Sequence, residues 1–199
     1  NIAIQSITPA TVRFGELFTT NVQVSSAVAG SAPTGTVSVT TTPNVGSCAI
    51  ASLASGAGSC AITALATGDV SIVASYGGDG ITMPATTSVP VSIEKALTTT
   101  TILSDASDPS APGAQITVTY SVASAGGTPG GQVDVAASGG GSCSSNLIGG
   151  SGNCLLTPSS SGPTTLTATY AGNTNFAGSS DDESHTIGSA ASSLQINPG

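Results

Sequence analysis

Along most of the chain apolar and polar residues alternate with a period of two. Val22-Gln23-Val24 and Ile116-Thr117-Val118-Thr119-Tyr120 are clean examples. Successive side chains on a strand point to opposite faces, so this pattern describes strands with one face in a core and one in water. In the first half, strands are expected near 2–7, 17–28, 34–41, 46–53, 59–65, 69–76 and 87–93. In the second half they are expected near 98–103, 114–122, 131–137, 142–148, 153–157, 163–170 and 182–187. Turn sequences separate them, among them Pro43-Asn44, Gly77-Gly78-Asp79-Gly80 and Gly139-Gly140-Gly141.

The two halves are copies of one pattern. Cys48 and Cys143 are 95 residues apart, Cys60 and Cys154 are 94 apart, and so are Tyr76 and Tyr170. Ala32-Pro33-Thr34-Gly35-Thr36-Val37-Ser38-Val39 is matched by Thr128-Pro129-Gly130-Gly131-Gln132-Val133-Asp134-Val135. A shared offset over several landmarks is the signature of an internal repeat. About seven short strands per repeat of about 100 residues fit an immunoglobulin-like sandwich. The fold class expected is therefore all-β, two tandem immunoglobulin-like β-sandwiches arranged end to end. The expected domains are 1–95 and 96–187, with 188–199 as a C-terminal strand or linker. Glu94-Lys95-Ala96 forms the joint. It is short and has neither Gly nor Pro, so the expectation is a semi-rigid rod.

Composition supports the strand reading and removes several functions. Charged residues are 6% of the 199, and the formal net charge is −8. Arg13 and Lys95 are the only Lys or Arg, too few to neutralise a phosphate backbone, which excludes nucleic acid as a partner. No apolar run approaches the roughly 20 residues of a membrane helix, so no membrane insertion is expected. Thr, Val and Ile dominate the strands, as a pleated surface favours. With few carboxylates, little stability is tied to their ionisation, which suits acidic surroundings.

One stretch carries a family resemblance. Tyr170-Ala171-Gly172-Asn173-Thr174-Asn175-Phe176-Ala177-Gly178-Ser179 resembles the Tyr-x-Gly-Asp-x-Asn-Phe-x-x-Ser ending of bacterial Ig-like repeat domains. Asn173 stands where that pattern has Asp. The first repeat keeps Tyr76-Gly77-Gly78-Asp79 and then departs from the pattern. The resemblance spans about residues 1–187. It implies tandem modules of secreted and surface proteins, such as stalks, adhesins and spacers, and it brings no catalytic residues.

Four cysteines allow three pairings. The repeat selects Cys48 with Cys60 and Cys143 with Cys154, one pair per domain. The turn sequences Ser55-Gly56-Ala57-Gly58 and Gly149-Gly150-Ser151-Gly152 lie between the partners, so each pair is expected across a β-hairpin. Disulfides place the chain in an oxidising compartment, extracellular and at the cell surface.

Candidate chemistry is sparse. His185 is the only histidine, and any triad would have to use it. Alternation within Asp181-Asp182-Glu183-Ser184-His185 reads as a solvated surface strand, so no catalytic residue is assigned and no enzyme is expected. Asp105 and Asp108, with Glu94 at the joint, are a thin set for an interdomain Ca²⁺. Ordinary turn residues are the stronger reading, so no metal and no cofactor are assigned.

The function expected is an extracellular structural protein, an Ig-like rod forming a surface stalk or a head-to-tail filament. The alternatives are an adhesin or glycan-binding module, or an accessory domain of a larger secreted protein. The tail motivates the filament. Ile7, Ile102 and Ile196 are spaced by 95 and 94, so Leu194-Gln195-Ile196 falls where a third repeat would begin. These three residues are expected to dock on a neighbouring copy, giving head-to-tail self-association.

Overall fold

β-Branched residues on alternate positions, punctuated by Gly and Pro, produce strands throughout. In a computed structural model, which describes residues 1–189, the described residues form fifteen strands and no α-helix. The chain divides into two compact units between Ala96 and Leu97.

The first unit contains β1 (Ile2–Thr8), β2 (Val12–Arg13), β3 (Leu17–Val24), β4 (Val37–Thr42), β5 (Ser47–Ile50), β6 (Ala57–Thr63), β7 (Gly68–Tyr76) and β8 (Ala85–Glu94). They make one sheet ordered β1-β3-β6 and another ordered β2-β8-β7-β4-β5. All ladders are antiparallel except β2 with β8. One core lies between the sheets, with Phe18, Val22 and Ile62 from the first and Val37, Val39 and Ile72 from the second. Fully burying a Val, Ile or Phe side chain is worth about 1.5–3 kcal/mol, so these alternating positions dominate the stability.

The second unit repeats the plan with β9 (Thr99–Ser104), β10 (Ile116–Ala123), β11 (Gln132–Ala137), β12 (Ser142–Asn146), β13 (Ser151–Leu156), β14 (Gly162–Tyr170) and β15 (Ser179–Ile187). Its sheets are β9-β10-β13 and β12-β11-β14-β15. In place of β2 it has a single parallel bridge from Ser110 to Ile187. Tyr120, Leu156, Leu166 and Tyr170 are buried in this core. Gly152 makes room for the Tyr120 ring, because a Cβ there would lie 2.8 Å from it.

Two differences from the sequence reading have physical causes. The segment 25–36, expected to be partly strand, is a loop. Pro33 has no N–H to give a ladder, and Gly30 and Gly35 take positive φ. The pair Val12–Arg13 was too short to register as a strand by alternation.

Candidate functional site

The cysteines are bonded within each unit, Cys48 to Cys60 and Cys143 to Cys154, with Cα–Cα distances of 5.9 and 5.8 Å. The hairpin setting expected for them is corrected. Cys48 on β5 lies opposite Val39 of β4, whereas Cys60 on β6 lies opposite Thr20 of β3. β5 and β6 therefore belong to different sheets, and only Ala54 and Ala57 pair at the turn between them. In the second unit Cys143 pairs with Val135 of β11 and Cys154 with Val118 of β10. The chain therefore crosses between sheets at this turn, from β5 beside β4 to β6 beside β3, and from β12 beside β11 to β13 beside β10. Each bridge thus joins the two sheets of its sandwich along one edge. β5 and β6, like β12 and β13, are terminal strands of their sheets.

A second feature shared by the two units is the corner after β7 and β14. Tyr76 Oη donates to Thr34 O at 2.6 Å, and Tyr170 Oη donates to Gly130 O at 2.9 Å. Both phenols are pushed up in pKa, chiefly by burial. The next turn differs between the units. Asp79 accepts from the backbone N–H groups of Thr34, Thr82 and Ile81. These bonds, led by that from Thr34, hold its carboxyl well below the usual carboxylate range. Asn173 instead accepts from Asn175 and Phe176 N–H and donates its own Nδ2 to Gly130 O at 3.0 Å. An amide thus reverses the polarity of one bond and keeps the turn.

This contrast has a pH consequence. A carboxyl with a depressed folded pKa stabilises the fold above its unfolded value of about 4, and that stability is lost as pH falls from there toward the folded value. Asp79→Asn should therefore lower the melting temperature at neutral pH, with the difference from wild type closing below about pH 4. Thermal unfolding of both chains from pH 7 to pH 2 checks this. A difference independent of pH would assign no role to Asp79 ionisation.

His185 is not on a solvated face. It is 1% exposed, and its ring is held at both nitrogens. Nδ1 lies 2.8 Å from Asp105 Oδ2, and Nε2 lies 2.9 Å from Ser110 Oγ. The expectation of an exposed strand failed because β15 buries its last turns: the run Asp181–Ser184 lies outward or half-buried, and His185 and Ile187 point in. Asp108 lies 3.8 Å from Nδ1 and accepts from Thr186 N–H. Ser110, His185 and Asp105 have the connectivity of a hydrolytic triad, but Ser110 is 6% exposed and its N–H is committed to Thr186 O. A nucleophile must reach a substrate carbonyl and an oxyanion donor must be free, and this serine offers neither. Sequence reading missed Ser110 altogether. Its signal is faint: the repeat sets His185 opposite Val91, a polar residue where the first unit has an apolar one.

The aromatic residues are all internal or half-buried. Tyr76, Tyr120, Tyr170, Phe18 and Phe176 are buried, and Phe14 is half-buried. Exposed apolar side chains do occur, and Val28, Ile81 and Met83 line one shallow surface cavity of the first unit. No helix among the described residues is long and apolar enough to cross a membrane. The candidate docking residues Leu194, Gln195 and Ile196 lie outside the described residues.

The fold and its repeated corner define a tandem of immunoglobulin-like sandwiches. The family model described as bacterial Ig-like domain (group 3) matches residues 5–94 and 103–188, and the chain belongs to that family. No curated protein matches the chain. Among solved structures, invasin, described as a bacterial integrin-binding protein, superposes with a TM-score of 0.58 at 16% identity, covering 94% of this chain and 39% of that one. The fibronectin(III)-like modules of Clostridium thermocellum CbhA give a TM-score of 0.39 at 14% identity, covering 94% of both chains. A tetra-tandem repeat from the extending region of a large adhesion protein gives 0.48 at 15% identity, covering 94% of this chain and 48% of that one. At such identities the likeness to invasin is one of fold.

Proposed function

We propose that the chain is an extracellular structural module of a bacterial surface protein, a repeat unit of a stalk or of a head-to-tail filament. The observation that carries this reading is where its aromatic residues go. Sugar-binding surfaces stack ligands on exposed rings, and here all six aromatics are buried or half-buried in the sandwiches. Covalent closure of each sandwich at an open edge serves a module that must stay folded where no chaperone can rescue it. It also fits an oxidising location outside the cytoplasm.

Head-to-tail growth through Leu194-Gln195-Ile196 is part of this proposal. Light scattering of the intact chain and of a chain lacking residues 188–199 tests it. The intact chain should form oligomers that grow with concentration, and the truncated chain should remain monomeric. Assembly of the truncated chain to the same extent overturns the docking role.

A second reading is adhesion to a protein surface. Val28, Ile81 and Met83, exposed by 51, 64 and 81%, favour it, because they offer contact area to a protein without offering a sugar platform.

A further inference from the structure

The inner end of β15 is polar where the first unit is apolar. The two units share one ladder register, Val70 facing Val91 in the first and Thr164 facing His185 in the second. The parallel bridge that sets Val12 beside Ile93 corresponds to the one that sets Ser110 beside Ile187. Three equivalent positions therefore read Val12, Val70 and Val91 in one sandwich and Ser110, Thr164 and His185 in the other. Val12 and Val70 are buried, and Val91 packs on the core. The fold is thus satisfied by valine at all three. Burying polar groups there instead carries a desolvation cost that an apolar set avoids. The polar version also brings two carboxylates, Asp105 and Asp108, whereas the linker between β1 and β2, Pro9-Ala10-Thr11, has none.

We propose that Asp105, Asp108 and His185 form a binding site for a divalent transition metal ion of the zinc class. One ligand atom from each lies within 4.8 Å of the others. Nδ1 is 2.8 Å from Asp105 Oδ2 and 3.8 Å from Asp108 Oδ1. A tetrahedral ion with bonds of about 2.0–2.1 Å holds neighbouring ligand atoms about 3.3 Å apart, between these two values. The ring is already oriented from behind. When Nε2–H donates to Ser110 Oγ, the lone pair of Nδ1 faces the two carboxylates, which is the tautomer a metal requires. In the other tautomer Nδ1–H donates to Asp105 and the serine hydroxyl donates to Nε2. A hydroxyl serves either tautomer. Thr186 N–H fixes Asp108 Oδ1 at 2.8 Å. The Asp108 side chain is 39% exposed, which leaves the remaining coordination position to water. The imidazole selects against Ca²⁺ and Mg²⁺, which take all-oxygen sites.

Because His185 is the only histidine, its ring resonances report on the site without ambiguity. Zn²⁺ is titrated into the full chain while the His185 ¹⁵N ring signals and the bound zinc are followed. One equivalent should bind, with a displaced Nδ1 resonance. The Asp105→Asn, Asp108→Asn double variant should bind at least roughly tenfold more weakly. A second variant, Ser110→Val with His185→Val, copies the first unit at two of the three positions, so it should keep the native circular dichroism spectrum and bind no zinc at the site. Unmoved His185 signals at millimolar Zn²⁺ overturn the site. So does a carboxylate variant that binds as tightly as wild type.

Discussion

Replacing Cys143 and Cys154 together by alanine should destabilise the second unit by about 3 kcal/mol. The closed loop spans 11 residues, and in the chain-entropy model a loop of this order removes about that much disorder from the unfolded chain. For a domain of about 100 residues the melting temperature should fall by roughly 12–24 °C. The position of the bridge gives the effect a second signature. It ties β12 of one sheet to β13 of the other, so its loss frees an edge of the sandwich rather than the tip of a hairpin. Hydrogen exchange of the variant should rise first in β12 and β13 and last in β14, the interior strand between β11 and β15. Urea unfolding gives the energy. A loss below about 0.5 kcal/mol would mean that the edge is held without the bridge.

Gly172→Ala should cost about 3 kcal/mol, from a left-handed backbone and a steric clash together. Gly172 has φ +83°, and a Cβ there would lie 2.6 Å from Phe176 O and 2.8 Å from Gly178 N. Both atoms are backbone and cannot step aside without breaking the turn that Asn173 closes. The equivalent Gly78 has φ +86°, and the atoms nearest its Cβ would be the Pro84 ring carbons and nitrogen, at 3.0–3.1 Å and so less tight than at Gly172. Gly78→Ala should therefore cost less, close to the backbone term of about 1–2 kcal/mol alone. Equal losses in urea unfolding at the two positions would refute the steric account.

Much of the fold was legible because alternation survives in the strands that face a core. β3, β10 and β14 were placed to within a few residues by apolar positions two apart. The Tyr-x-Gly motif was legible for a reason now visible: a buried tyrosine hydroxyl, a glycine with no room for a side chain and a turn-closing Asp or Asn occupy one corner. What stayed hidden depended on which strands pair. A glycine-rich turn between Cys48 and Cys60 reads alike whether the chain returns in the same sheet or crosses to the other, so the inter-sheet bridge was mistaken for a hairpin bridge. His185 was misjudged for a related reason. Acidic neighbours marked β15 as solvated, but a strand can leave water along its length, and the residues that receive the histidine, Asp105 and Ser110, lie about 80 positions earlier in the chain.

Each repeat is a sandwich bridged between its own two sheets, and the proposed stalk or filament role requires each to unfold autonomously under tension. Stretching single chains from their two ends, with and without reductant, tests it most directly. The account predicts two separate unfolding events per chain. In each, the segment between the paired cysteines, 12 and 11 residues apart, stays closed under oxidising conditions. Reduction should lengthen each event by about 30–35 Å, the extended reach of such a segment less what the closed bridge already spans. A single event for the whole chain, or two events whose lengths are unchanged by reductant, would contradict it.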